Sequence, residues 1–367
     1  MRDYFGKEQA IRFIFPIDGD CINENDGERI VARVEAPEGR RVTICGKRAD
    51  FCDGYYRAEV EVKEAEVLLR AVDENTEEAC EIRVFRLKNP VGGYRISSDD
   101  NIIFLWDLNE HKDEYSSIFE NPYLAIYKKA HDLYGAKVHL NLFYAFDDVA
   151  RTYFKEDRPY FDLSMMTDKF RDEFRANAHW LKFSFHSKSE MPDAPYQNAD
   201  GETVREDCLC VHREIIRFAG EECLSNCTTV HWGAATEDGV RALRDLGYRT
   251  LTGYFTLPKH VAYYAPEELV AHIYGRDFWK DTAIDMLFGR IDLVLNCNTH
   301  EQNMKTVEDI MASPTRGGFV SLMIHEQYFH KDYWRHLPDF EARVLEPCAL
   351  LAKAGYEGRH IAEVLNG

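Results

Sequence analysis

From about residue 9 to residue 88, apolar and polar residues alternate with a period of two, in runs such as IRFIFP, RIVARVEAP, RRVTICG, GYYRAEVEV, AEVLLRAV and EIRVFRL. Turn-forming residues interrupt them at Asp18-Gly19, Asp26-Gly27, Pro37-Glu38-Gly39, Gly46 and Asp53-Gly54. Alternation places apolar side chains on one face of a strand, and short strands separated by regular turns predict an antiparallel sandwich. This stretch carries no cofactor motif and no cluster of reactive side chains, so an accessory or packing role is expected of it.

After Asn89-Pro90-Val91-Gly92-Gly93 the pattern changes. Apolar strand-like runs now alternate with amphipathic helical stretches: NIIFLWDL then NPYLAIYKKAHDLYG, KVHLNLFY then MMTDKFRDEFRANAHW, LKFSFHS then CVHREIIRFAGEE, TTVHWG then ATEDGVRALRDLG. TLTGYF, RIDLVLNC and GFVSLMIHEQYF continue the series. About seven such units predict an α/β fold, a parallel sheet closed or nearly closed into a (β/α)7-like deformed barrel. The expected division is residues 1–90 for the sandwich and 91–367 for the barrel.

In a barrel of this kind, chemistry gathers where strands end. NIIFLW is followed by Asp107, Asn109, Glu110 and His111; LKFSF by His186 and Glu190; TTV by His231 and Trp232; DLVLN by Asn296, Asn298 and His300; FVSLMI by His325 and Glu326. A single histidine after a strand is usually a satisfied structural residue. Five polar endings at one face are harder to explain that way. They suit a divalent metal, which takes imidazoles and carboxylates and keeps a position open. His186 and Glu190, four residues apart, suit two ligands on one tight loop, with Asp107 completing the set. Phosphate-loop, dinucleotide and serine-hydrolase signatures are absent from the sequence.

Composition narrows the partners. The chain has 45 basic and 64 acidic residues, a formal charge of −19, which disfavours nucleic acid and anionic membrane surfaces. A 45% apolar and 13% aromatic content supports substantial cores. The N-terminal apolar stretch is short and broken by Arg12, so neither an export signal nor a membrane span is expected, and a cytoplasmic location follows as the simplest expectation. The ten cysteines include no Cys-x-x-Cys pair and are read as reduced thiols filling cores.

The first region, from RRVTICG to EIRVFR, resembles a bacterial immunoglobulin-like module. The second, over roughly residues 98–363, resembles the polysaccharide deacetylase superfamily in the order of FLWDLNEH, HSKSE, VHWGAATEDGVRALRDLGYRTL and LMIHEQYF. That family ends its first strand in an Asp pair, follows its third with His-Ser/Thr-x-x-His, and supplies a catalytic acid from a late Leu-x-His. The resemblance implies a metal-dependent hydrolase that removes an acyl group from a carbohydrate or another C–N bonded substrate. Asp107 would ligate the metal or act as general base, and His186, Glu190 and His231 would ligate it. His325 would protonate the leaving group. Zinc is the expected metal, with nickel, cobalt or manganese as alternatives. Trp232 would stack on a sugar face, with Glu110, Tyr254 and Glu326 as further candidate substrate contacts. The polar segment MPDAPYQNADGETVRED is a candidate substrate loop.

Three departures stand out. The Asp pair is reduced to Asp107 beside Leu108, the second metal histidine is Glu190, and the base-orienting Arg of the third motif has no counterpart at His231-Trp232-Gly233. Two rival readings follow: a non-catalytic carbohydrate-binding protein on a degenerated barrel, and a metal-dependent sugar isomerase. A small-molecule or carbohydrate partner is expected, and a homo-oligomer is open.

Overall fold

The computed structural model describes residues 2–22, 27–88, 91–256, 262–313 and 315–364. The Asp26 turn position and the Asn89-Pro90 junction lie outside the described residues. The chain divides into two compact units, one of Met1–Val91, Phe278–Phe288 and Glu363–Gly367, the other of Gly92–Asp277 and Gly289–Ala362.

The first unit contains β1 (Arg12–Phe15), β2 (Cys21–Ile22), β3 (Arg29–Glu35), β4 (Val42–Ile44), β5 (Lys47–Arg48), β6 (Asp50–Cys52), β7 (Tyr55–Glu61), β8 (Glu66–Asp73) and β9 (Ala79–Arg86). They form two sheets, ordered β1-β3-β7-β6 and β2-β9-β8-β4-β5. Alternation decides which face is buried: in β3, Ile30, Ala32 and Val34 are buried while Arg29, Val31 and Glu35 are exposed. Ala32 and Val34 share one core with Ile44, Val60, Leu69 and Val84, so both sheets contribute to it.

The second unit opens with β10 (Gly93–Asn101), a strand buried along all nine residues although six of them, Arg95 and the run from Ser97 to Asn101, are polar. It is followed by α1 (Ile103–Glu110), α2 (Pro122–Tyr134), β11 (Val138–Phe143), and a short pair β12 (Ala145–Phe146) and β13 (Phe161–Asp162) around α3 (Asp148–Arg151). Next come α4 (Arg171–Asn177), β14 (Leu181–Ser187), α5 (Gly201–Phe218), β15 (Cys227–Thr228), α6 (Glu237–Asp245), β16 (Thr250–Gly253) and α7 (Glu267–Tyr274). β17 (Phe278–Asp281) and the start of β18 (Met286–Arg290) belong to the first unit, where Trp279 Nε1 donates to the Asp18 carbonyl at 3.0 Å. The second unit resumes with β19 (Leu293–Val294), α8 (His300–Met311), β20 (Phe319–His325), α9 (Phe340–Lys353) and β21 (Glu357–Gly358).

Strands β14, β11, β10, β20 and β19 form a parallel sheet in that order, and β15 pairs with β16 in parallel. Single backbone bonds bring the two sets together, Ser225 N to Phe183 O at 2.9 Å and Ile291 N to Gly253 O at 2.7 Å. The result is a mixed α/β unit with a parallel-strand sheet. Helix boundaries follow local chemistry. Asn121 caps α2 through Leu124 N, Pro122 opens it, and Gly135 at φ 67° ends it; Thr299 and Gln302 form a capping box on α8.

The segment NIIFLW, expected to be the first strand, is instead the start of α1. The side chain of Glu326 dictates this. Its Oε2 accepts from Ile102 N at 2.7 Å and Ile103 N at 3.0 Å, and its Oε1 from Phe104 N at 2.6 Å. Three orphan N–H groups at a helix start are thereby satisfied by one buried carboxylate. The first strand lies upstream, in GYRISSDDN. Five of the ten cysteines are buried and all ten are free thiols. No helix among the described residues is long and apolar enough to cross a membrane.

Candidate metal centre

β10 ends in two consecutive acids, Asp99 and Asp100. Side chains on a regular strand alternate faces, so adjacent acids should point apart. Here the β10–β11 register shifts between Ser98 and Asn101, and Asp100 takes a left-handed φ of 61°. Such a bulge re-aims a side chain, and strained backbone of this kind gathers at functional sites. Asp99 remains in register opposite His325 of β20, while Asp100 meets His186 and His231.

Three ligand atoms converge. Asp100 Oδ1 is 3.0 Å from His186 Nε2 and 3.4 Å from His231 Nδ1, and the two ring nitrogens are 3.1 Å apart. The far nitrogens are already occupied: His186 Nδ1 faces Thr229 O at 2.5 Å and His231 Nε2 faces Glu190 O at 3.1 Å. A carbonyl oxygen only accepts, so each far nitrogen carries a proton, and in the neutral ring each near nitrogen presents a lone pair. Two lone pairs and a carboxylate, all buried, then face one another. One proton can bridge a single pair; a cation can serve all three. Ligands on a tetrahedral zinc at about 2.1 Å stand about 3.4 Å apart, close to the spacing here. The two carbonyls are the outer partners that metal-binding histidines require.

The surrounding acids favour positive charge at this point. Burial would raise the pKa of Asp100, yet His325, His186 and His231 draw it well below the ordinary carboxylate range. Burial opposes charge on His186, but Asp99 and then Asp100 raise its pKa. Gln327 Nε2 donates to Asp100 Oδ2 at 2.7 Å and fixes the remaining oxygen. His325 stands alongside: its Nδ1 and its backbone N reach Asn296 Oδ1 at 2.9 and 3.1 Å, which leaves Nε2 directed at Asp100 Oδ2, 3.9 Å away.

Of the residues singled out in the sequence, the structure brings together His186, His231 and His325. Glu190 contributes its carbonyl to His231. Its carboxyl lines an apolar cavity beside Asp100, walled by Ile102, Ile103, Phe143, Phe146 and Phe154, where burial and then Asp100 push its pKa up to about 8. Trp232 flanks His231 at a ring distance of 6.1 Å, 45% exposed and with φ 62°. Asp107 is a correction. It lies within α1, with its carboxylate taken up by Asn121 Nδ2 at 2.6 Å, Tyr115 OH at 3.2 Å and His111 Nδ1 at 3.2 Å. Glu110 is exposed at the end of the same helix. Glu326 is fully buried as the α1 cap, and so faces the backbone rather than a substrate. Tyr254 packs on Ile291, Val294 and Met323. The candidate substrate loop is a loop as far as Asp200, and from Gly201 onward it is α5.

Asp99 and Asp100 escaped the sequence reading. The signal was the pair itself, directly after the strand-like GYRIS.

No model of a known protein family matches the sequence, and no curated protein does. Among solved structures, the chain is similar to a mutant of a CE4 family pseudoenzyme, at 11% identity over 82% of this chain and 86% of that one, with a TM-score of 0.34. It is similar to a peptidoglycan N-acetylglucosamine deacetylase at 8% identity over 76% and 90%, TM-score 0.38. It is also similar to the 4-alpha-glucanotransferase of Thermococcus litoralis at 11% identity over 74% and 40%, TM-score 0.43.

Proposed function

We propose that this protein is a metal-dependent hydrolase of the deacetylase kind, cleaving an acyl C–N bond in a carbohydrate or similar small substrate. The observation that carries the reading is the convergence of three buried ligand atoms from Asp100, His186 and His231, with the far nitrogen of each ring facing a backbone carbonyl. Asp100 Oδ1, His186 Nε2 and His231 Nδ1 hold a divalent cation, zinc first among the candidates. When bound, the cation supplies Lewis acidity toward the acyl oxygen.

The chain's own groups do the rest. Asp99, beside the three ligands, takes the proton of the attacking water. His325, on the paired strand, delivers a proton from Nε2 to the leaving nitrogen, with Asn296 holding the ring's orientation. The apolar cavity under Phe143 and Phe154 receives the acyl group and excludes water from it, and exposed Trp232 offers a face for a sugar ring. The second unit is read as a deacetylase-like barrel and the first as an immunoglobulin-like module.

The test is elemental analysis of the purified protein, Asp100→Ala and His186→Ala, with acetyl release from an N-acetylated amino-sugar oligomer assayed alongside. About one equivalent of zinc in the parent, lost in both variants together with acetyl release, is expected. A parent that takes up no metal after soaking would overturn the reading.

A further inference from the structure

Arg95 lies in the middle of β10 at 1% exposure, and among the described residues its hydrogen-bond partners are all neutral. Nε donates to Ser321 Oγ at 3.0 Å, Nη2 to Thr252 Oγ1 at 3.0 Å, and Nη1 to His139 Nδ1 at 3.1 Å. A buried guanidinium needs compensation. The same face of the same strand, four residues on and about 13 Å away at ~3.3 Å per residue, carries Asp99.

A continuous chain of hydrogen bonds connects the two. A guanidinium only donates, so His139 Nδ1 accepts and its proton sits on Nε2. Burial and then Arg95 hold the pKa of His139 well below its ordinary value, so the ring stays neutral. Nε2–H then donates to Ser184 Oγ at 2.8 Å. Ser184 has one proton to give; Asn141 Oδ1 at 2.5 Å is nearer than Thr228 Oγ1 at 3.0 Å. Thr228 directs its own proton to Phe185 O. Asn141 Nδ2 finally donates to Asp99 Oδ1 at 2.5 Å. Every link donates in the same direction, from the cation toward the carboxylate, and aligned links polarise one another.

We infer that Arg95, His139, Ser184 and Asn141 form a one-way relay that orients Asp99 for its work beside the metal centre. The four are positioning residues, and the inference rests on the role of Asp99 in the proposed hydrolase. His139 and Ser184 form the most informative link, because breaking it leaves Arg95, Asn141 and Asp99 in place. The relay also accounts for polar residues inside three buried strands, His139 and Asn141 on β11, Ser184 on β14 and Arg95 on β10.

The experiment uses the full-length zinc-loaded protein and an N-acetylated amino-sugar oligomer. Ser184→Ala and His139→Phe are each expected to lower kcat on the order of tenfold, with KM and zinc content unchanged. The double variant should be no slower than the slower single one, as expected of links in one chain. His139→Gln, which can accept from Arg95 and donate to Ser184, should restore most of kcat. Side-chain amide NMR gives a readout independent of turnover. The Asn141 NH2 signal should move in Arg95→Met and in His139→Phe, although neither residue is hydrogen-bonded to Asn141. Parent kcat in Ser184→Ala, or an unmoved Asn141 signal in folded His139→Phe, would overturn the relay. A parent that binds zinc yet releases no acetate defeats the hydrolase reading instead, and the relay is then decided by the Asn141 signal alone.

Discussion

Two buried carboxylates stand at the ends of adjacent parallel strands and do opposite work. Glu326, directly after β20, receives three backbone N–H groups at the head of α1. Asp100, near the end of β10, receives one amide from Gln327 and otherwise faces two imidazole nitrogens whose rings direct their other nitrogens at carbonyls, so that in the neutral rings both are acceptors. Glu326 is satisfied by donors that cannot leave, so its charge is spent on holding the helix. Asp100 is surrounded by acceptors, so its charge remains available to a cation. Burial and strand position are the same in both cases; what separates structure from chemistry is the identity of the groups opposite.

The largest effects should come from breaking the acceptor side of this comparison. Asp100→Ala and His186→Ala are expected to bring zinc content and acetyl release to background while the protein stays folded. Thermal melts with and without zinc check both points: zinc should raise the parent's Tm and leave the variants' unchanged. Glu326→Gln should do the reverse. It sets an amide NH2 against at least one of the three N–H donors and weakens the bonds to the others by removing the charge, at a cost of about 3 kcal/mol. Urea unfolding measures that loss, and the folded fraction should keep its zinc.

The same contrast explains what the sequence revealed. The sandwich strands were legible because one face of each is wet, so residues 29–35 alternate visibly. His186, His231 and His325 were legible because apolar runs precede them. Asp99 and Asp100 were not, because β10 is buried on both faces and its polar residues are satisfied internally; SSDDN reads as a turn unless its partners are known. NIIFLW misled for the complementary reason. Six residues do not separate a strand from the start of a helix, and the residue that decides, Glu326, lies more than two hundred positions away. Arg95 was invisible as a functional residue, since its partners come from four other strands.

A second pair of buried acids sharpens the point by pH. In the second unit, Asp277 accepts from Gly317 N at 2.9 Å and Phe319 N at 3.1 Å. Asp292 accepts from Ser321 N at 2.9 Å through Oδ2, while its buried Oδ1 has no hydrogen-bond partner among the described residues. Burial raises Asp277 to about 6; burial and then the charge of Asp277 raise Asp292 to about 7. For acids with raised folded pKa values, the folded state holds the proton more tightly. Their contribution to stability is therefore present at low pH and is lost as pH climbs from about 4 through about 7. Asp292→Asn keeps an acceptor for Ser321 and removes the titration. The urea midpoint of the parent should fall between pH 5 and pH 8 more than that of the variant, with the two converging toward pH 5. Parallel curves would place the proton elsewhere.

The smallest effect is expected at Asp107, and it tests the comparison from the other side. Asp107 has the residue type and the apolar prelude that made it the first choice for a metal ligand. In the structure its carboxylate is bonded by Asn121, Tyr115 and His111 on a partly exposed stretch of α1. All three can donate, so Asp107 resembles Glu326 more than Asp100, with weaker consequences because solvent shares the charge. Asp107→Asn retains an oxygen for one of the donors and should cost less than about 1 kcal/mol. Zinc content should match the parent's, and kcat should be unchanged within error. Loss of zinc in this variant, with Asp100→Ala still binding it, would move the ligand set onto α1 and dissolve the distinction between the two strand ends.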